Sequence, residues 1–251
     1  MKGTVHPSST SKYNVLLSFV NNFKTDGILF IKGHRNVIKL FNLEGTTLNI
    51  KSFKKPNFIN QIAYRYFRKS KARRSYEFAN ILLKKNIGTP QPIAYFERFN
   101  LFGITDSYYI CEHLKHDLTY RDLVIQPNYK NHEEILRKFT RFTWDMHEKG
   151  IYFKDHSPGN TLIVENNNTY EFYLVDLNRM SFTKLDFKAR MKSFARLTPK
   201  KEMVRIMSDE YAKLSEEDFE KTYQLMWYYT NQFRERSKRK KRIKQKYLGK
   251  K

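Results

Sequence analysis

Residues 150–180 read GIYFKDHSPGNTLIVENNNTYEFYLVDLNRM, and the reading of this stretch decides the fold. A helical pattern from His132 to Lys149 closes at Gly150, a residue type that ends helices because it takes up left-handed backbone at little cost. A loop holding Asp155 and Asn160 follows, in which Pro158-Gly159 fixes a tight turn. TLIVE (161–165) and YEFYLVD (170–176) flank the polar turn NNN and read as the two strands of a hairpin. A hairpin carries the end of its second strand back to the start of its first. Asp176 is therefore expected close to Asn160, with Asp155 at the same mouth. Two carboxylates and an amide are hard oxygen donors that suit Mg2+ rather than zinc. No Cys/His cluster with zinc spacing competes.

Upstream, residues 13–53 read mostly as strands. VIKLF (37–41) and LNIKSF (48–53) are joined across NLEGTT around Gly45, which predicts a hairpin. Residues 57–86 change character, with apolar and aromatic side chains at helical intervals among many cations. Gly88 and Pro90 end that stretch. PIAYFE (92–97) and SYYICEHL (107–114) read as two further strands. Downstream of the decisive stretch, Asp186 to Phe233 reads as helices. This order divides the chain into an N-terminal lobe over 1–112, a helical C-terminal lobe over 113–233 and a basic tail over 234–251.

The composition bounds the function. The 251 residues carry 48 Lys+Arg against 25 Asp+Glu, a formal charge of +23, so a polyanionic partner is expected: nucleic acid, an anionic membrane face or a phosphorylated substrate. The tail RERSKRKKRIKQKYLGKK (234–251) alone holds eleven Lys/Arg and one Glu. With 20 Phe and 17 Tyr the chain can build a core, which speaks against wholesale disorder. Cys111 is the only cysteine, which excludes an internal disulfide framework and suits a reducing compartment. The opening MKGTVHPSSTSKYN lacks the apolar stretch of a secretory signal, and no apolar run reaches the roughly 20 residues that span a bilayer. A soluble, cytoplasmic protein is expected.

The spacing of Asp155 and Asn160 as D-x-x-x-x-N, followed by Asp176 in DLN, resembles the catalytic loop and metal-binding Asp of the protein-kinase-like fold. Phe153-Lys154 stands where kinases have His-Arg, Leu177-Asn178-Arg179 stands in place of Phe-Gly, and no G-x-G-x-x-G loop or A-P-E segment is present. The wider text, IKSFKKPNFINQIAYRYFRKSKARRSYEFA, GTPQPIAYFE, DHSPGN and VDLNRM, is similar to the bacterial lipopolysaccharide core kinases, a family that includes Kdo kinases and heptose kinases. The resemblance covers roughly Lys51 to Met180. It implies an α+β, two-lobed kinase-like fold: a small N-terminal antiparallel sheet with a helix, then a mainly helical lobe.

The same resemblance implies ATP and Mg2+ as cofactors and a lipopolysaccharide core sugar, Kdo on lipid A first, as acceptor. Asp155 is then the general base, Asp176 and Asn160 the metal ligands, and Lys51 the clamp on the α- and β-phosphates with Glu77 as its ion-pair partner. Gly45 belongs to the hairpin over the nucleotide, and the backbone near Glu112 and Leu114 faces adenine. Arg179 and His156 are candidates for the acceptor. The basic tail is expected on the cytoplasmic face of the inner membrane, where each Lys or Arg contributes about 1 kcal/mol near an anionic leaflet.

Plainer readings stand beside these. Lys54 and Lys55 compete with Lys51 for the nucleotide. Glu77 has Arg73 and Arg74 at helical reach. His147, His156 and Cys111 read as packing residues, and the aromatics from Tyr64 to Phe67 as helix core. A kinase for small molecules or proteins is the alternative within the fold. A nucleic-acid-binding protein is the alternative outside it, although it leaves the ordered Asp/Asn/Asp set unexplained.

Overall fold

The structure is a computed structural model and describes residues 1–167 and 169–248. The chain divides into two units: Met1–Lys115 together with Asp176–Asn178, and His116–Val175 together with Arg179–Lys251.

The first unit contains β1 (Lys2–Val5), α1 (Tyr13–Asn21), β2 (Ile28–Lys32), β3 (Asn36–Leu43), β4 (Thr46–Phe53), α2 (Phe58–Tyr66), α3 (Lys71–Lys84), β5 (Pro92–Phe99) and β6 (Ile104–Glu112). Its strands form one antiparallel sheet in the order β1-β5-β6-β4-β3-β2. The hairpin read from residues 37–53 is β3–β4, paired from Asn36↔Phe53 to Leu43↔Thr46. Its two connecting residues, Glu44 and Gly45, have φ of 51° and 86°. Two left-handed residues make the type I′ turn whose twist matches a β-hairpin. The core joins Leu16 and Val20 of α1 to Leu48, Ile50, Phe96 and Ile110 of the sheet.

Two local expectations are corrected in this unit, and one strand is added to them. Residues 13–21 are helical, not extended: Leu16 and Val20 stand one turn apart and are both buried, the i, i+4 pattern of a helix packed on a sheet. The stretch 57–86 is two helices. Asn57 caps the first by accepting from Asn60 N, and Ser70 caps the second by accepting from Arg73 N, so the chain breaks at 67–70 where a new N-cap is available. Strand β1, on the sheet edge beside β5, is too short to leave a periodic signal.

The second unit contains β7 (Leu118–Thr119), α4 (Tyr120–Ile125), α5 (His132–Glu148), β8 (Ile151–Phe153), β9 (Thr161–Asn166), β10 (Thr169–Leu174), β11 (Met180–Phe182), α6 (Phe187–Ser193), α7 (Lys201–Ser215) and α8 (Phe219–Leu248). β9 and β10 form the expected hairpin, with Leu174 opposite Thr161. β11 pairs with β8, Met180 opposite Phe153. Tyr120, Phe139, Phe194, Met207, Tyr211 and Met226 form its core. His147 on α5 ties this core together: Nδ1 lies 3.0 Å from the Tyr211 hydroxyl of α7 and Nε2 lies 2.9 Å from Ser193 Oγ of α6. Helix α8 buries Tyr223 and Met226 in its first half. From Arg234 it continues as an exposed, strongly cationic helix, so the basic tail is helical to Leu248. Residues 249–251 of that tail lie outside the described residues. Among the described residues, no helix is long and apolar enough to cross a membrane.

Candidate active site

The residues singled out by sequence fall into two groups, one in each unit. In the first unit, Lys51 sits in the middle of β4, between Ile38 of β3 and Tyr109 of β6. Its side chain is mostly buried, and Nζ donates to Asp176 Oδ1 at 2.7 Å. Lys54 and Lys55 lie beyond the strand and are exposed, so the strand lysine engaged with Asp176 is Lys51. Asp176 has φ of 60°. A non-glycine residue in that region costs free energy, least for Asp and Asn, and such strain concentrates at functional positions. Asn178 Nδ2 donates to the same Oδ1 at 2.8 Å. The L-N of DLN thus has a function of its own: the amide steadies the carboxylate two residues before it.

Lys71, the first residue of α3, is a further cation of this group. Burial lowers its pKa, as do Arg35, Arg74 and Lys51, while Asp176 raises it. Sequence spacing gave no reason to prefer Lys71 among so many lysines.

Glu77 does not pair with Lys51. It accepts from Lys69 Nζ at 2.8 Å and from Arg73 Nε at 2.9 Å. Burial raises the pKa of its carboxyl, but those two cations outweigh it and the net shift is downward. Arg73 is one helical turn away and Lys69 just precedes the helix, whereas Lys51 is committed to Asp176. Gly45 is the second left-handed residue of the β3–β4 turn, with open space where a Cβ would stand. Glu112 ends β6, and its N–H donates to Gln91 O at 2.9 Å. Leu114 follows one residue beyond His113, whose N–H donates to Thr47 O. Burial pushes the thiol of Cys111 up to about 12, so it is a packing residue and not a nucleophile.

In the second unit, Asp155 follows β8 by one residue. Arg196 Nη1 donates to its Oδ1, and Arg179 Nη1 lies 3.5 Å from its Oδ2. Asp155 is thus flanked by two guanidinium groups. Arg196 comes from a short 3-10 turn, residues 194–196, and stands over the Phe233 ring of α8 at 5.4 Å. It lies 41 residues from Asp155 in sequence, which is why spacing could not find it. Asn160 Nδ2 donates to the Asp155 backbone carbonyl at 2.8 Å. That bond fixes the amide nitrogen against the loop backbone. The carbonyl of Asn160 accepts from the N–H of Val175, the residue just before Asp176. Gly159 leaves room for Arg121, whose Nη2 would be 2.7 Å from a Cβ at that position.

His156 does not line an acceptor site. It is fully buried, with its ring packed against Phe139 and Phe153. Burial pushes its pKa down to about 3, so it is a neutral core residue.

The donor chemistry fits a magnesium–nucleotide. In the first unit Asp176 offers a carboxylate, and in the second Asn160 offers an amide oxygen; each is the kind of hard donor of which Mg2+ takes one or two, with phosphates and waters completing its shell. Among the described residues there is no group of three or more His, Cys, Asp or Glu that could hold a metal ion.

Comparisons with known proteins agree with this fold. The family model described as "Lipopolysaccharide kinase (Kdo/WaaP) family" matches residues 39–229, well over half of the chain. A solved structure of WaaP in complex with acyl carrier protein is similar over 92% of this chain and 98% of that one, with a TM-score of 0.64 and 13% identity. A MAP kinase from Leishmania major, LmaMPK10, aligns over 80% of this chain and 60% of that one, with a TM-score of 0.47 and 16% identity. No curated protein sequence matches significantly. At 13% identity the WaaP likeness establishes the protein-kinase-like α+β fold and nothing finer.

Proposed function

We propose, from the premise that this chain belongs to the lipopolysaccharide kinase (Kdo/WaaP) family, that it transfers the γ-phosphate of ATP to a hydroxyl of an acidic inner-core sugar, Kdo on lipid A. The observation that carries the choice of acceptor is the pair of guanidinium groups, Arg179 and Arg196, on either side of Asp155. Guanidinium binds carboxylate in a bidentate fork, and Kdo is a sugar acid.

Phosphoryl transfer asks the protein mainly for position and charge compensation. Asp155 accepts the proton of the attacking hydroxyl as the new P–O bond forms and the bond from the γ-phosphorus to the bridging oxygen of ADP breaks. Arg196 holds Asp155 in place, and the more exposed Arg179 turns to the acceptor's carboxylate. Lys51 compensates the charge on the nucleotide phosphates, and the backbone of the β3–β4 turn at Gly45 and of residues 112–114 contacts the rest of the nucleotide. Asn160 and Asp176 would hold Mg2+, which when bound neutralises charge on the transferring group. The protein works on the cytoplasmic face of the inner membrane, with the cations of α8 near the anionic leaflet.

The test is incubation of the purified protein with ATP, Mg2+ and either Kdo-lipid A or a core acceptor carrying only neutral heptose, read by mass spectrometry. A one-phosphoryl gain on the Kdo acceptor supports the reading. Transfer to the heptose acceptor alone, or to proteins of a lysate alone, refutes it.

A further inference from the structure

Helix α2 leaves part of its apolar face, Ile59 and Tyr66, in solvent while Ile62 and Ala63 are half-buried. At 100° per residue, Ile59, Ile62, Ala63 and Tyr66 share one face, while Asn60, Gln61 and Tyr64 share the other. An amphipathic surface helix turns its apolar face to the core. Here the buried residue is Gln61, 8% exposed, whose Nε2 donates to Pro56 O. Ile59 and Tyr66 stand in solvent, and Phe67 just beyond the helix is 86% exposed. The aromatics expected in the core are therefore partly on the surface, because periodicity defines a face but not the direction it points.

A second apolar element stands beside this one. The β5–β6 turn carries Phe99, Leu101 and Phe102, all exposed, Leu101 by 85%. The side chain of Asn100 makes it rigid, accepting from Phe102 N and Gly103 N at 2.9 Å each. Gly103 lies so close to α2 that a Cβ there would come within 2.4 Å of Gln61 O, and Arg65 donates to Asn100 O. Helix and turn thus form one fixed apolar promontory on the first unit. Its surroundings are cationic. Lys54, Lys55, Arg65, Arg68 and Lys69 are exposed, and no Asp or Glu occurs between Glu44 and Glu77. Arg65 and Arg68 stand over the rings of Tyr66 and Tyr64.

We propose that α2 and the β5–β6 turn form the membrane-docking surface of this protein, and that its occupant is an anionic phospholipid leaflet. Apolar tips with aromatic and cationic neighbours match the chemistry of an interface-bound element, whose side chains reach the headgroup–acyl boundary while Lys and Arg meet lipid phosphates. The inference rests on the function proposed above only in the choice of occupant, since a lipid-anchored acceptor must be met at a bilayer. It moves the insertion site from the basic helix to the first unit, leaving α8 a long-range electrostatic contribution.

The test needs neither ATP nor acceptor, so a failed kinase assay does not affect it. The full chain is sedimented with phosphatidylcholine vesicles made with and without phosphatidylglycerol. Binding to the anionic vesicles is expected. The triple variant Phe67→Ser, Leu101→Ser, Phe102→Ser should weaken it at least tenfold, since each Leu or Phe fully withdrawn from water is worth about tenfold or more. Lys54→Gln with Lys55→Gln and Arg68→Gln should weaken it and reduce its salt dependence. Neutralising Lys238, Arg239, Lys240 and Lys241 of α8 should leave most of the binding. The opposite pattern, with binding lost in the α8 variant and kept in the triple variant, overturns the proposal. So does a wild-type dimer that the triple variant abolishes, which would assign the patch to a second copy. Should the triple variant fail to fold, Phe67→Trp decides the matter: a blue-shifted emission increment quenched by brominated lipid supports docking, and an increment unchanged by vesicles overturns it.

Discussion

Asp155 and Asp176 are both aspartates placed just after a strand and held by cations, but they are held in different ways. Asp155 is held by one nitrogen from each of two guanidinium groups, one of them brought from 41 residues away. Asp176 is set by its own left-handed backbone and steadied by the point charge of Lys51 and the amide of Asn178. The first arrangement sets two guanidinium groups beside one carboxylate, which under the proposed function would let them meet an anionic acceptor. The second fixes a carboxylate through geometry, which suits an anchor for phosphate-bound metal. The proposed function gives acceptor chemistry to Asp155 and nucleotide chemistry to Asp176, and substitutions can separate the two.

The largest effect is expected at Asp176. Asp176→Ala should take turnover below detection and weaken magnesium-dependent nucleotide binding by more than tenfold in calorimetry, because the metal ligand and the partner of Lys51 are lost together. Nucleotide affinity that stayed at the wild-type level would erase the contrast. A smaller effect is expected at Arg196. Arg196→Ala should lower kcat by about 10²-fold through misplacement of Asp155, with nucleotide affinity unchanged. Arg196→Lys should recover part of that loss, since the charge returns without the fork. If Arg196→Ala changed only nucleotide affinity, the division of labour between the two aspartates would be broken.

The smallest effect concerns stability. His156 is neutral in the fold with a pKa of about 3, and burial likewise holds His147 well below the ordinary imidazole range. An unfolded histidine titrates near 6.5. Between about pH 6.5 and pH 3 the unfolded chain binds the extra proton at His156, so its contribution is full above that window and falls with pH by up to about 1.4 kcal/mol per unit, and His147 adds a slope of the same sign. Neither ring nitrogen of His156 has a hydrogen-bond partner among the described residues. His156→Phe should therefore cost little at pH 8 and reduce the acid slope by one proton. Urea denaturation at pH 5 and pH 8 measures both, and an unchanged slope would contradict the assignment of His156 to the core.

Much of this was legible in the sequence, where local patterns decide structure. The β3–β4 hairpin follows from alternation around a turn containing Gly45, and the loop of Asp155 and Asn160 follows from a helix stop and a paired run of strands. What depends on direction or distance was not legible. The apolar run of α1 reads equally as a buried strand. Glu77 finds Arg73 one turn away before any residue of the sheet. The helical spacing of α2 cannot reveal that Gln61, rather than Tyr66 or Phe67, faces inward. Arg196 reaches Asp155 through tertiary packing from a 3-10 turn that carries no motif.

Asp155→Asn separates the proposed acceptor role of Asp155 from the proposed nucleotide role of Asp176 more cleanly than any other substitution. With Kdo-lipid A, ATP and Mg2+, kcat should fall about 10²–10⁴-fold, the usual contribution of a positioned base, while the magnesium–nucleotide dissociation constant stays as in the unaltered protein. Turnover that persists unchanged, or nucleotide affinity that collapses along with it, would contradict the account.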